Sequence, residues 1–147
     1  MNEKVPQNVL VYGSNPVDWH AHKNGGGWVY KTSHVDATAY LHLTAIVYGN
    51  ARVSGNARVY GDAWEFSPIY LQGSRHPLTL CSLTQIAIGC HVRKISYWLK
   101  RYKAIGRVEG YTPSQIAEYG KHIAYIAEYA ETLQPKTKNP RKQKEVV

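Results

Sequence analysis

Apolar and polar positions repeat with a period of six between residues 29 and 64. The hexads begin at Val29, Val35, Leu41, Val47, Val53 and Val59, so the first position is always aliphatic. The fifth is always small: Ser33, Ala39, Ala45, Ala51, Ala57 and Ala63. The fourth is always Thr, Asn or Asp. No helix has this period, and a simple alternating strand has no need of a small residue at every sixth place. The pattern predicts a triangular solenoid. Each hexad forms one short side, its aliphatic residue points inward, and its small residue fits near a corner. Gly49-Asn50, Gly55-Asn56 and Gly61-Asp62 supply residues that tolerate positive φ at the turns. Three hexads close a coil, so the repeat makes about two, stacked about 4.8 Å apart.

Flanking segments carry other periods. Residues 8–13, Asn-Val-Leu-Val-Tyr-Gly, read as a strand, and Asn24-Gly25-Gly26-Gly27 as a loop. Residues 67–72 lead into a strand, 73–77 form a turn, and 78–83 and 85–91 alternate as two strands. A helix starts near Ser96 and runs towards Gly110. A second starts at Thr112, with Pro113 at its first position and Gln115 completing a capping box. Ile116, Tyr119, Ile123, Ile126, Ala127 and Ala130 make one apolar stripe along it, and Pro135 stops it. The expected organisation is an N-terminal strand and loop cap (1–28), the repeat (29–64), a strand pair with an αα-hairpin (65–134), and a basic disordered tail (135–147).

The repeat resembles the hexapeptide-repeat superfamily of left-handed parallel β-helices. Its regular part, from Tyr48-Gly49-Asn50-Ala51-Arg52-Val53 onward, is similar to repeats of small bacteriophage and prophage proteins. The block from Gln72-Gly73-Ser74-Arg75-His76, through Ile88-Gly89-Cys90-His91 and Tyr97-Trp98-Leu99, to Gly110-Tyr111-Thr112 is similar to a C-terminal block found after such repeats in phage-associated proteins. The expected fold is mainly β with C-terminal helices: a short left-handed parallel β-helix of about two coils, capped by a strand–helix–helix block. Both ends of so short a solenoid need covering, which predicts capping by the flanks together with homo-oligomerisation. The resemblance implies a phage origin and action on host machinery, immunity included, and implies no mechanism.

Composition adds one correction to this picture. The chain has 147 residues, with 12 Tyr and 4 Trp against one Phe and one Met. Many of these rings should therefore be half-exposed, ring buried and polar tip wet. No apolar run is long enough to span a bilayer and the N-terminus has no signal-like pattern, so the expected location is the cytoplasm of a bacterial host. Cys81 and Cys90 make no disulfide framework and read as free thiols.

The net charge is +8, and its placement matters more than its size. Residues 1–92 carry 6 Lys+Arg and 5 Asp+Glu, whereas residues 93–147 carry 12 and 5. The basic C-terminal third could meet nucleic acid, an acidic protein or an anionic ligand.

Candidate chemistry is sparse. His34 and His42 lie in the repeat and could serve an acyltransferase as bases, but two coils leave little room for an acyl donor. His20 and His22 are spaced to share a metal, yet no third ligand lies near them. His76, Cys81, Cys90 and His91 have zinc-ligand types without a CxxC or HxxxH pair. A Cys–His nucleophilic pair, from Cys81 or Cys90 with His76, lacks an orienting acid. Residues 105–118 have a superficial helix-turn-helix pattern, but the helix after residue 112 continues unbroken, so an αα-hairpin packed on the solenoid end is the better reading. These considerations point away from an enzyme and to no catalytic residue, metal or cofactor. The expectation is a binding protein that sequesters a host protein or an anionic nucleotide-type ligand. Arg75, His76, His91, Trp98, Lys100 and Arg101 are the candidate ligand-binding residues: Arg75 and His76 would clamp a phosphate and Trp98 would stack a base. The first alternative is salt-sensitive nucleic-acid binding through Lys94, Lys100, Arg101, Lys103, Arg107 and the tail, and the second is a small acyltransferase-like enzyme.

Overall fold

The computed structural model describes residues 4–133; the tail expected at 135–147 lies outside them. A helical turn α1 (Gln7–Leu10) and a 3-10 turn (Pro16–Asp18) lead to β1 (Trp19–Ala21) and β2 (Trp28–Tyr30). Six two-residue strands come next: β3 (His34–Val35), β4 (Tyr40–Leu41), β5 (Ile46–Val47), β6 (Arg52–Val53), β7 (Arg58–Val59) and β8 (Ala63–Trp64). Then come β9 (Tyr70–Gln72), β10 (Pro77–Ser82), β11 (Gln85–Ile88), β12 (His91–Lys94), α2 (Ile95–Val108) and α3 (Pro113–Thr132).

The expected fold class needs correction. Among the described residues, twelve short strands fall into four separate sheets, none closed, with two C-terminal helices after them. One sheet is mixed, in the order β1-β2-β5-β8, with an antiparallel β1–β2 pair beside parallel neighbours. The longest pairing is antiparallel, in the sheet β12-β11-β10-β9. Parallel pairing in the repeat is confined to two-residue strands, β3 with β6 and β4 with β7 besides the mixed sheet. The hexad breaks each strand after two residues, so the repeat builds no continuous parallel sheet. A short left-handed parallel β-helix does not describe the molecule.

The periodic positions nonetheless do the packing. Val29, Leu41, Val47, Val53 and Val59 are buried, as are Ala39, Ala45, Ala51 and Ala57. Gly49, Gly55 and Asp62 take positive φ at the turns. The fourth-position threonines link successive turns through hydroxyl-to-carbonyl bonds. Thr38 donates to Gly55 at 2.6 Å and Thr44 to Tyr60 at 2.9 Å, and Thr32 likewise donates to Gly49.

Both ends of the repeat are covered by the chain itself. Above, Gly27 N–H donates to Leu41 O and Leu41 N–H to Asn24 O, both at 2.9 Å. The buried His22 lies there too, its Nε2 2.9 Å from Ala39 O. Below, Tyr60 N–H donates to Cys81 O at 2.6 Å and Leu83 N–H to the Asp62 carboxylate at 2.8 Å. Bare ends therefore give no reason for a second copy.

Residues 8–13 do not form the expected strand. Val9 and Leu10 N–H both donate to Pro6 O, closing a helical turn that sets Val9 into a small core with Val5, Trp19, Trp28 and Ile46. The expected strand pair is a four-stranded sheet, because Tyr70–Gln72 and His91–Lys94 add to its edges. The αα-hairpin covers this sheet, α2 on β11 and β12 and α3 on β10, rather than the end of the repeat. Thr112 caps α3 in a capping box with Gln115. Close approach of the helices needs glycine: a Cβ on Gly120 would stand 2.7 Å from the Tyr102 ring. The tryptophans are not half-exposed as expected. All four are buried, and Trp19, Trp64 and Trp98 each donate Nε1–H to a backbone carbonyl. The main core runs without a break from Val29 through Leu80 and Ile86 to Ile126 and Ala130.

Candidate functional site

The turn before β10 is pinned to α3. The Tyr119 hydroxyl accepts from the N–H of Arg75 at 3.0 Å and of His76 at 2.6 Å, and donates to His76 O at 2.7 Å. Glu118 accepts from Ser74 N–H at 3.0 Å and lies 2.9 Å from His122 Nε2. Reading the sequence found Tyr119 only as a stripe residue. Its hydroxyl was the available signal, since a buried tyrosine on an apolar stripe needs a polar partner.

These contacts decide the fate of Arg75. Its guanidinium donates to Gly110 O at 3.0 Å and Glu109 O at 3.4 Å, and lies 4.5 Å from the centre of the Tyr111 ring. Arg75 ties the α2–α3 turn to the sheet and is not a free phosphate clamp.

His76, His91 and Trp98 do come together. With Cys90, Glu109 and Tyr111 they line a cleft of about 80 Å³ between the sheet and the hairpin. His91 Nε2 is 3.5 Å from the Glu109 carboxylate. Trp98 forms the buried wall, with its indole N–H on Ile86 O at 2.9 Å. Pockets that enclose a ligand run to about 300–1,000 Å³, so this cleft admits a side chain or a few waters but not a nucleotide. Burial pushes the Cys81 thiol up to about 12, so it is inert. Among the described residues no three His, Cys, Asp or Glu side chains gather to hold a metal.

Lys100 and Arg101 lie elsewhere. They are exposed on α2, away from the cleft lining. Trp98, Tyr102, Ile105 and Gly106 turn one face of α2 inward. The opposite face carries Lys100, Lys103 and Arg107 at i, i+3 and i+7, a stripe about 10 Å long at 1.5 Å rise per residue. Beside it Arg93 stacks on Tyr97, 5.5 Å from the ring centre, with Arg101 one turn beyond. From Arg93 to Arg107 there are six cations and no acid. None of the six joins an ion pair among the described residues. Exposed Leu99 and Val108 interrupt the charge.

Taken together, fold and surface define a small mixed-sheet protein whose helical hairpin presents a basic outer face. No family model, curated protein or solved structure matches the chain. Among the described residues, no helix is long and apolar enough to cross a membrane.

Proposed function

We propose that this is a non-enzymatic binding protein of phage type that sequesters a host protein by docking the outer face of α2 on an acidic surface. The observation that carries the reading is the uncompensated run of six cations between Arg93 and Arg107. Such a run raises the local potential and attracts an anionic partner. Tyr97, Leu99 and Val108 are exposed on the same helix, and apolar and aromatic side chains among arginines suit a protein interface. The similarity of the repeat and the block after it to phage-associated sequences supports a target in host machinery, immunity included.

Nucleic acid is the second reading, favoured by the same six cations. Phosphate-driven binding falls steeply with salt.

The test compares the wild type with Lys100→Glu/Lys103→Glu/Arg107→Glu in capture from host lysate, with and without nuclease. A protein partner retained after nuclease and lost by the triple variant is expected. Loss with nuclease would transfer the role to nucleic acid. Identical capture by both forms would refute the proposal.

A further inference from the structure

One face of the repeat carries rings that neither core uses. Tyr40 in β4 and Arg58 in β7 are register partners on adjacent strands. Two residues further along each chain segment stand His42 and Tyr60. The Tyr40 and Tyr60 rings are 5.4 Å apart and tilted by 50°, with His42 about 6 Å from each. Both tyrosines are half-buried, yet neither packs against either hydrophobic core. Their aromatic surface lines an open groove of about 530 Å³, completed by Asn24, Thr38, Asn56 and Arg58.

The charge here is also unbalanced. The adjoining face of the repeat has an equivalent arginine, Arg52, beside β3, and Asp36 lies close enough to feel its charge. Arg58 has no such carboxylate: it joins no ion pair among the described residues, and its guanidinium donates only to the Tyr60 hydroxyl, at 3.4 Å. His42 Nδ1 lies 2.9 Å from the Thr44 hydroxyl oxygen and 3.2 Å from Thr44 N, so that nitrogen is engaged within the repeat. Asn24 donates to Thr38 O at 3.4 Å, which leaves its carbonyl oxygen as an acceptor.

We propose that this groove is a binding site for a nucleoside phosphate, with the Arg58 guanidinium on the phosphate and the flat base against the Tyr40–Tyr60 pair. A guanidinium meets phosphate oxygens with two parallel donors. Base–aromatic stacking contributes without demanding a particular base. The two tyrosines form a V, so a planar group lying on one ring meets the edge of the other, the arrangement that aromatic quadrupoles favour. The asparagine amides at the rim suit ring and sugar polar atoms. The site is independent of α2, so it stands or falls apart from the partner proposed above.

Calorimetric titration of the full chain with a purine nucleoside 5′-monophosphate, its parent nucleoside and inorganic phosphate tests the assignment. The nucleotide is expected to bind at least ten-fold more tightly than either fragment. Arg58→Gln should weaken it at least ten-fold, and Arg58→Lys should recover part of the loss. Asn56→Asp places a negative charge on the exposed rim without disturbing the core, and should weaken binding even if Arg58 variants fold poorly. The α2 triple variant should bind the nucleotide as the wild type does. No heat at millimolar nucleotide, or binding untouched by both Arg58→Gln and Asn56→Asp, would overturn the site. So would loss confined to the α2 variant.

Discussion

The repeat and the block after it hold their strands in different ways. In the repeat, two-residue strands pair at offsets of 17 or 18 residues, as Val47 does with Trp64, Val35 with Val53 and Leu41 with Val59. Strands so short gain little from backbone pairing, and threonine hydroxyls bridge the turns between them. In the block, β10 pairs with β11 along most of its length and with β9 along half of it, and two helices cover the sheet. The first region is a stack of small inward side chains; the second is an ordinary sheet-and-hairpin layer. Yet one cluster of buried side chains runs across both, so the difference is local and the stability is shared.

That view can be broken by truncating each region in turn. Leu41 in the repeat and Leu80 in β10 are both fully buried in the common core. Leu41→Ala and Leu80→Ala should each cost about 2–5 kcal/mol. Each variant should still melt in one transition by calorimetry and by circular dichroism. Two separated transitions in either variant would show that the regions fold as independent units.

A smaller effect separates the two ways of packing. Ala57 occupies a corner of the repeat with no exposed surface to spare, so Ala57→Leu must displace backbone and should cost about 1–3 kcal/mol. Ala124 faces solvent on α3, and Ala124→Leu should stay within about 0.5 kcal/mol. Equal tolerance at the two positions, measured by denaturant titration, would mean that the corner is not close-packed.

How far the sequence speaks depends on the same division. Its hexads name most of the buried residues of the repeat, because burial there largely follows the period, although Val35 and Ala63 are half-buried and Ile46 and Trp64 are buried outside the two marked positions. Thr112, Pro113 and Gln115 place the start of α3, because a capping box is a local device. The fold class was not legible in the same way. A six-residue period says which side chains turn inward, but not that strands stop after two residues or that an antiparallel sheet dominates the pairing. The start of the chain misled for a related reason. Val9 and Val11 alternate as in a strand, while Pro6 supplies the carbonyl that closes a helical turn. Among the candidate site residues, His76, His91 and Trp98 converge because their strands and helix are neighbours in the chain. The partners of Arg75 were not legible, since Glu109 and Gly110 lie more than thirty residues away. The Tyr40–Arg58 pairing did leave a trace: the two residues stand 18 apart at the same hexad position.

The least costly change sharpens the comparison most, because it separates the regions by pH. The cross-turn threonine bonds of the repeat are neutral, whereas the link from α3 to the turn before β10 includes a carboxylate, Glu118, which accepts from Ser74 N–H. Donation by Ser74 and contact with His122 hold the Glu118 carboxyl below its ordinary value of 4.5. A folded pKa below the unfolded one contributes stability that is present above about 4.5 and lost as pH falls through the folded value. Glu118→Gln cannot titrate and keeps one acceptor, so at neutral pH it should cost about 0.5–1 kcal/mol, with half-exposure screening the charge. The gap between wild type and variant should narrow as the pH falls below 4.5. Asp36 in the repeat also has a lowered pKa, its carboxylate accepting from Gly55 N–H. It is common to both proteins and cancels from the difference. Melting curves between pH 3 and 7 would show the narrowing. A gap that stayed constant to pH 3 would mean that shape, not charge, fixes Glu118 against Ser74.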